Sequence, residues 1–501
     1  MIDGSESLAT FILLAAVVAI LIWGYNRAKI YGKLGILAWL QSIVLMSPWL
    51  LFFGLFAFGI YLNLVGILFL LLASIAVYIW LGKQLRAAGQ ETLLKQKAAE
   101  RIKQQAEIEQ VSPSSSSHEL EQKAVIEVSP IPDEDLTALK GIFGIDTFFA
   151  TETIPYQDGA IFKGNLRGEP DIAYSKMSQK LEGAFDDKYR LFLVESPEER
   201  PVVVILPKTN DPQTTTLTQK NLALVLLIGT ILTSLEAASL LQGFDLFNDF
   251  SRYGEAIPLS LGLWSVLIAH EIGHRVLANR YHVRLSIPFF LPTWQIGSFG
   301  AITRFESLLP NRTALFDISF AGPAVAGVVS LLLLVSGLTL SHPGSMFQLP
   351  TEFFRASILV GTLAKVILGS ALETAVVDIH PLVVIGWLGL IITALNLLPA
   401  GKLDGGRIVH AIYGRKTARR TTLASLIILG IVSLFNPANP IPLYWSVLIL
   451  FLQRDLERPV QNELTEPDDS RAAWALLALF LMLATLIPLS ASLAGRIGLG
   501  A

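Results

Sequence analysis

Two histidines and a glutamate within five residues form the part of this sequence best suited to chemistry. His270, Glu271 and His274 follow residues 257–269, a run without a charged side chain. Residues four apart share one face of a helix. Two imidazoles at that spacing can bind zinc, and the carboxylate between them can act as general base. Ionisable residues are costly in an apolar helix, so their presence here indicates function.

A catalytic zinc site needs a third protein ligand and one open position. The sequence has no cysteine, so the third ligand must be a histidine or a carboxylate. We predict Asp404, because it follows a hydrophobic span that breaks at Pro399 and Gly401. Broken backbone at membrane depth is tolerated only where it is buried in protein or lines a cavity. An Asp-Gly pair is more often a simple turn, and that alternative stays open for Asp404.

The remaining histidines are poorer ligand candidates. We interpret four of them as surface or interface residues: His282, His342, His380 and His410. His410 lies two helical turns beyond Asp404, which makes it the first alternative if Asp404 is not a ligand.

The composition is that of a polytopic membrane protein with one modest soluble insert. Of 501 residues, 52% are hydrophobic and 16% are charged, and the mean hydropathy is +0.55. Soluble proteins average roughly a quarter charged residues. The net charge of −3 does not identify a partner. We expect contact with the lipid bilayer and none with nucleic acid, and the sequence leaves the oligomeric state open.

The predicted fold is an all-α polytopic membrane protein of about eight to ten transmembrane helices, with a re-entrant strand or loop and a small soluble α+β insert. The chain divides into five parts: 1–82, an N-terminal membrane anchor of about three spans; 83–130, a basic, polar and serine-rich linker; 131–210, the soluble α+β domain; 221–460, the core with the paired histidines; and 470–495, a C-terminal transmembrane helix.

Hydropathy and turn residues place the individual elements. Single spans are expected at 8–23, 221–241, 257–278, 313–340, 380–399 and 472–493. Two further spans are expected within 34–82, where 47–48 or 54–59 could form the turn between them. A helical hairpin is expected over 421–453, with its turn at 436–440. The insert is expected to hold strands at 160–166, 191–194 and 201–206 and a helix at 172–185. The depth of 355–376 stays open, because charges interrupt it.

Loop charges predict the orientation. Basic residues cluster at 27–33, 83–103, 275–284 and 407–420, whereas the 242–256 loop is acidic. The positive-inside rule puts all the basic loops, the insert and Asp404 on the cytoplasmic side or its equivalent. The helix that carries His270, Glu271 and His274 also ends on that side of the membrane. Asp3 and Glu6 precede the first span, so we expect a retained anchor rather than a cleaved signal peptide.

Two motifs together resemble a known family. The HEIGH sequence at 270–274, with Asn-Leu-Leu-Pro at 396–399 and Leu-Asp-Gly-Gly-Arg at 403–407, resembles the site-2 protease family of intramembrane zinc metalloproteases. The small-residue run at 321–327 is similar to one found in that family. GNLRG at 164–168 and residues 292–304 resemble its plastid and cyanobacterial branch, which is named for ethylene-dependent gravitropism-deficient and yellow-green plants. The resemblance covers roughly 136–460.

This resemblance implies cleavage of transmembrane helices of membrane-protein substrates in a bacterial-type plasma membrane or a thylakoid membrane. It assigns one zinc ion to His270, His274 and Asp404, and the base role to Glu271. It gives 221–460 the role of metalloprotease core. Further positions are expected near substrate or behind the ligands: Asn396, Pro399, Gly405, Gly297 and Gly300. In particular, 297–300 could form a strand that pairs with an unwound substrate.

Two other classes of function remain open at this point. An inactive relative could act as a membrane scaffold or chaperone, although it would be free to lose Glu271 and both histidines. A zinc transporter is the less favoured alternative, since it would be expected to show several polar sites along a path or internal repeats.

Overall fold

A computed structural model describes residues 22–57 except 23, 30 and 31, single positions between 74 and 85, and residues 131–496 except 157, 197, 294–295, 437–438 and 454. The chain forms two compact units, one of 1–126 with 431–440 and one of 127–430 with 441–501. Each is treated by itself. The expected span at 8–23, most of 58–82 and nearly all of the 83–130 linker fall outside the described residues.

The first unit contains helix α1, Gly32–Ala57. It runs unbroken through Ser47 and Pro48, so the turn predicted at that pair is wrong. A proline has no N–H for the carbonyl four residues earlier, which here belongs to Val44. The Ser47 hydroxyl donates a 2.8 Å hydrogen bond to that carbonyl instead. Such replacement lets a membrane helix tolerate proline.

The insert is a four-stranded antiparallel sheet with two helices. Its elements are α2 (Asp133–Lys140), β1 (Phe148–Tyr156), β2 (Gly159–Leu166), α3 (Pro170–Phe185), β3 (Tyr189–Glu195) and β4 (Pro201–Pro207). The strand order is β1-β2-β4-β3, which leaves β1 and β3 as edge strands. The predicted helix and three predicted strands are confirmed. Ala173, Met177 and Leu181 of α3 are buried against the sheet.

The sequence did not predict strand β1. Its residues FFATETIPY lack clean alternation of apolar and polar side chains and include a proline. A register shift between Ala150 and Glu152 explains the lost alternation, because a bulge turns successive side chains to new faces. Proline is compatible with an edge strand, where one ladder of hydrogen bonds is absent.

Five described helices are long and apolar enough to cross a membrane. They are α4 (Leu217–Leu241), α5 (Tyr253–Arg280), α6 (Arg312–Leu340), α9 (Asp404–Phe435) and α11 (Asp469–Leu486). Four of them coincide with predicted spans. Helix α9 instead begins at Asp404, so the basic loop expected at 407–420 is helical, and the helix is broken at Gly414, where φ is +78°. The total of about eight to ten spans is not tested by the described residues. The second helix of the predicted hairpin, α10 (Ile441–Leu448), follows the turn expected at 436–440.

Helix α8 (Pro381–Asn396) is shorter than a membrane span. Its 16 residues extend roughly 24 Å, against about 30 Å of hydrocarbon. From Val383 to Asn396 almost every residue is buried, and α8 packs on α5, α6 and α11. The chain then runs without a helix until α9 begins at Asp404. Protein therefore surrounds the broken backbone, as the sequence argument required.

The region whose depth was left open holds short elements: β7 (Phe347–Pro350), α7 (Ile358–Leu368) and β8 (Val376–Ile379). The C-terminal span is shorter than expected. Helix α11 ends at Leu486, and a separate helix α12 covers Ala491–Arg496. Pro488 cannot continue the helix. Ile487 and Leu489 instead bond the backbone of 355–358.

A β-hairpin of β5 (Phe289–Thr293) and β6 (Gly297–Ile302) lies where a re-entrant strand or loop was predicted. The hairpin packs on α4, where the Thr233 hydroxyl donates a 2.6 Å hydrogen bond to the Gly297 carbonyl. Gly297 has a φ of +84°, and an added Cβ would lie 2.9 Å from the Ser234 Cα. Both constraints require glycine there.

Candidate metal centre

The three predicted ligands meet at one point. The Nε2 atoms of His270 and His274 lie 3.0 Å apart, and they lie 3.1 and 3.4 Å from Asp404 Oδ2. All three side chains are buried, at 8%, 5% and 7% exposure. Within the described residues they are the one group of at least three histidine or acidic side chains close enough to bind a metal ion together.

Close packing of α5 on α6 orients His274. Its Nδ1 lies 2.7 Å from the Ile318 carbonyl and donates a hydrogen bond to it, which leaves Nε2 free to bind metal. An added Cβ at Gly322 would lie 2.3 Å from His274 Nε2. The small-residue run at 321–327 therefore makes room for the imidazole of His274.

The turn before α9 places Asp404. An added Cβ at Gly405 would lie only 1.9 Å from the Leu397 carbonyl oxygen. Only glycine at this position lets the start of α9 pass so close to the end of α8. The Thr422 hydroxyl accepts a 2.8 Å hydrogen bond from the Gly401 N–H. Pro399 lies in the same turn, and its carbonyl accepts a bond from Ser425. The side chain of Asp404 thereby enters the site from the first turn of α9.

Glu271 has a partner that the sequence analysis did not identify. The Thr303 hydroxyl donates to its carboxylate and lies 3.0 and 3.1 Å from the two oxygens. Both side chains are buried. A hydroxyl held there fixes the direction of the carboxylate. Thr303 follows strand β6 directly, and no motif around it indicates this contact.

Arg407, the arginine of the Leu-Asp-Gly-Gly-Arg motif, faces the same site. Its guanidinium donates to Glu457 Oε2 at 2.9 and 3.1 Å and to the Thr303 carbonyl at 3.0 Å. Burial of Glu457 by itself favours the neutral acid. The charges of Arg407 and Lys402 nevertheless hold the pKa of the Glu457 carboxyl below its ordinary value.

Asn396 and Gly300 lie together behind the ligands. Asn396 Nδ2 donates to the carbonyls of Phe299, at 3.3 Å, and Ile392, at 2.9 Å. An added Cβ at Gly300, where φ is +102°, would lie 2.9 Å from that nitrogen. Asn396 thus ties β6 to the end of α8. Its role in catalysis stays a prediction.

His410 points away from the cluster. Its Nε2 forms a 2.7 Å hydrogen bond with Glu463 Oε1, and its side chain is only 1% exposed. The alternative of His410 as third ligand is therefore not supported. His380 caps α8, and His282 and His342 lie in turns.

The GNLRG segment ends strand β2 of the insert, away from the histidines. An added Cβ at Gly164 would lie 2.1 Å from the Phe149 carbonyl oxygen, so the close approach of β1 requires glycine. The Arg167 N–H donates to the Thr147 carbonyl at 2.9 Å. These contacts explain the glycine structurally.

The donor set fits zinc. Ligand atoms around tetrahedral zinc at ~2.0–2.1 Å lie about 3.3–3.4 Å from each other, and two imidazole nitrogens with one carboxylate oxygen is a catalytic set. The observed separations of 3.0–3.4 Å approach that value. Two small cavities flank the cluster, one of about 10 Å³ beside His270 and Glu271 and one of about 20 Å³ beside His274 and Asp404. Each has about the volume that holds one water.

Comparison with known proteins agrees with this centre. Residues 258–435 match peptidase family M50, and residues 137–213 match the EGY3 middle domain. No solved structure matches the chain.

Curated relatives extend over both regions. The chain is 40% identical to "Probable zinc metalloprotease EGY2, chloroplastic" of Arabidopsis thaliana over 72% of this chain and 65% of that protein. It is 34% identical to "Probable zinc metalloprotease EGY1, chloroplastic" of the same plant over 78% of each chain. The match to EGY2 of Oryza sativa subsp. indica covers 63% of that protein. The chain thus spans slightly less than two thirds of the EGY2 proteins.

Proposed function

Since this chain belongs to peptidase family M50, we propose that it is an intramembrane zinc endopeptidase that hydrolyses a peptide bond within a transmembrane helix of a membrane protein. The observation that carries the proposal is the meeting of His270, His274 and Asp404, with Glu271 beside them, among apolar helices. Ionisable groups are retained at such a place for function.

His270, His274 and Asp404 would hold the ion. When bound there, zinc acidifies water and polarises a carbonyl, which makes peptide hydrolysis possible near neutral pH. The carboxylate of Asp404 also offsets the charge of the metal in a medium where unpaired charge is costly.

Glu271 acts as general base and acid. Its carboxylate takes a proton from the attacking water and delivers it to the leaving amine. Thr303 donates to both carboxylate oxygens and so restricts rotation of the group. Burial of Glu271, at 6% exposure, keeps bulk water from competing for the proton.

A substrate helix must unwind before it can react, because its own hydrogen bonds shield each peptide group. Strand β6 (Gly297–Ile302) supplies backbone that can pair with an unwound segment. Asn396 supports β6 from behind through the Phe299 carbonyl. Gly297 and Gly300 let that strand approach α4 and Asn396 closely.

Water reaches the site from the side of the insert. A cavity of about 720 Å³ lies between the 209–216 linker, the β-hairpin and the 452–459 segment. It shares Lys402 and Arg407 with the small cavity beside Asp404. We infer that water enters and a cleaved end leaves by this route.

The proposed location is a thylakoid or bacterial-type plasma membrane, with the insert on the stromal or cytoplasmic side. The plant relatives EGY2 and EGY1 are named as chloroplastic proteins. A zinc transporter is disfavoured, because the described residues hold a single three-ligand group rather than a series along a path.

Metal removal tests the proposed function. Protein purified in detergent is expected to contain one zinc per chain and to cleave a model transmembrane substrate. A chelator should abolish cleavage and added zinc should restore it, because ligand binding is required for the water chemistry. Zinc content measured by atomic emission should fall to background in a His270→Ala, His274→Ala double variant. Full zinc in that variant, or cleavage without zinc, contradicts the proposal.

Single cysteines test the orientation, since the chain has none of its own. Cysteines at Gln179 in the insert and Thr417 in α9 are expected to react with an impermeant reagent from the same side of the membrane. Asn248, in the acidic loop, should react only from the other side. Gln179 and Asn248 are exposed. Labelling of Gln179 and Thr417 from opposite sides would overturn the proposed topology.

A further inference from the structure

The segment 457–463, which follows the last membrane hairpin, is here called the strap. Its outer edge forms backbone hydrogen bonds with the insert at Leu193 of edge strand β3. The Leu193 N–H donates to the Gln461 carbonyl at 2.8 Å, and the Glu463 N–H donates to the Leu193 carbonyl at 2.9 Å. The Asn462 amide donates to Asp171 of α3 at 2.7 Å. The insert therefore holds the strap by backbone and side chain.

The inner edge of the strap pairs with residues 309–310, which lie just before α6. The N–H groups of Gln461 and Asn462 donate to the carbonyls of Leu309 and Pro310, both at 2.9 Å. Asn462 itself is 2% exposed. Asn462 thus forms single β-bridges with Leu193 on one side and Asn311 on the other. The strap lies between the insert and the membrane core, and it cannot shift without breaking hydrogen bonds to both.

Two strap carboxylates reach the helix that begins with Asp404. Glu457 accepts from Arg407, and Glu463 pairs with His410 at 2.7 Å. These two partners, Arg407 and His410, lie within the first two turns of α9, and Glu463 and His410 are buried. Both contacts therefore act on the segment of α9 that carries the ligand.

From Arg407 the contacts continue to the general base. The guanidinium donates to the Thr303 carbonyl at 3.0 Å, and the hydroxyl of the same Thr303 donates to Glu271. Arg407 NH1 also lies 3.9 Å from Asp404 Oδ1. A continuous series of hydrogen bonds therefore joins the strap to the base, and the 3.9 Å ion-pair contact of Arg407 reaches the third ligand.

We propose that the strap positions Glu271 and Asp404, with Glu457, Arg407 and Thr303 as positioning residues, and that the insert fixes the strap. This inference rests on the proposed proteolytic function. In this proposal, the contacts of the soluble insert with residues 461–463 set the geometry of the metal centre. A substrate or partner that moves the insert would then change the rate of cleavage.

Removing Glu457 or the Thr303 hydroxyl tests the first part. Partners behind catalytic groups typically contribute about 10–100-fold to activity. Glu457→Gln and Thr303→Val are each expected to lower kcat by about that factor, with KM changed less than about twofold and zinc content unchanged. Thr303→Ser keeps the hydroxyl and should restore kcat to near the parental value.

Combining the two changes separates positioning from simple loss of stability. Glu457 and the Thr303 hydroxyl both act on Glu271 through the same chain of contacts. The kcat of the double variant Glu457→Gln, Thr303→Val should therefore be little lower than that of the worse single variant. If each change instead damaged the structure independently, the two losses of kcat would multiply, and each change would lower the Tm further. Multiplied losses, or Glu457→Gln and Thr303→Val both at parental kcat, would overturn the proposal.

A matched pair of insert variants tests the second part. Asp171→Ala removes an acceptor of the strap residue Asn462 and should lower kcat about three- to tenfold. Glu199→Gln removes another contact between insert and core, the exposed ion pair with Lys416, which does not involve the strap. It should leave kcat unchanged. Equal effects of the two variants would contradict a role for the strap. Failure of the parental protein to cleave would instead contradict the proposed function.

Discussion

Glu271→Gln protein is expected to cleave about 10²–10⁴-fold more slowly than the parental protein while binding the same amount of zinc. Glutamine has the shape of glutamate and can still accept the hydrogen bond from Thr303, but it cannot take a proton from water. His270, His274 and Asp404 are unchanged, so the metal should stay. Single-turnover cleavage of a model transmembrane substrate in detergent, with zinc analysis of the same sample, measures both quantities.

Glu236→Gln is the matched control for this variant. Glu236 is also a buried glutamate in an apolar helix, at 2% exposure. It accepts a 3.2 Å hydrogen bond from the N–H of Leu246, which belongs to the acidic loop at 242–256. Its replacement should leave the cleavage rate close to parental. A Glu271→Gln rate within a few-fold of the parental rate would remove Glu271 from the mechanism and favour the scaffold alternative.

The same variant can identify substrates. Glu271→Gln protein should bind substrates without releasing products, so membrane proteins with uncut spans should accumulate relative to cells with the parental protein. A comparison of the two membrane proteomes would show them.

Asp404→Asn protein is expected to fold normally, to bind zinc more weakly and to lose more than about 100-fold of its activity. Loss of a direct ligand should exceed the 10–100-fold that partners behind ligands contribute. Asparagine serves an Asp-Gly turn almost as well as aspartate, since both side chains bond local backbone. Zinc prefers the charged carboxylate. Asp404→Glu should keep partial zinc binding with a lower rate, because the longer side chain displaces the ligand atom.

Gly405→Ala separates the turn from the ligand. An added Cβ there would meet the Leu397 carbonyl oxygen at 1.9 Å, so this variant should lose thermal stability or membrane insertion. Asp404→Asn should leave the melting curve unchanged. If Asp404→Asn cleaves at close to the parental rate, Asp404 only forms the turn. His410 would not be the obvious replacement, because its Nε2 is engaged by Glu463.

The paired histidines show how much a local pattern can determine. The spacing of His270 and His274 within an apolar helix fixes their common face, since helical periodicity depends only on neighbours along the chain. The apolar runs placed α4, α5 and α6, because hydropathy is also a local property of the sequence. The start of α9 at Asp404 was missed, since basic residues at 407–420 favoured a loop. The broken span before Asp404 indicated a third ligand, and the structure brings that side chain to the histidines.

The sequence was less informative where elements are irregular. It missed β1, whose bulge and edge position remove the alternation that identifies a strand. It predicted a turn at Pro48 that a serine hydroxyl makes unnecessary. It extended the last helix beyond Leu486, although Pro488 marked the break.

The sequence by itself indicated the two histidines, the proposed general base and the membrane character of this protein, because each follows from residue type and short-range periodicity. Only the tertiary structure decided which groups support them. Thr303 lies 32 residues from Glu271, and Glu457 lies 50 residues from Arg407. Such partners are chosen by how helices and strands pack, and side chains that meet only through packing carry no spacing in the sequence that could reveal them.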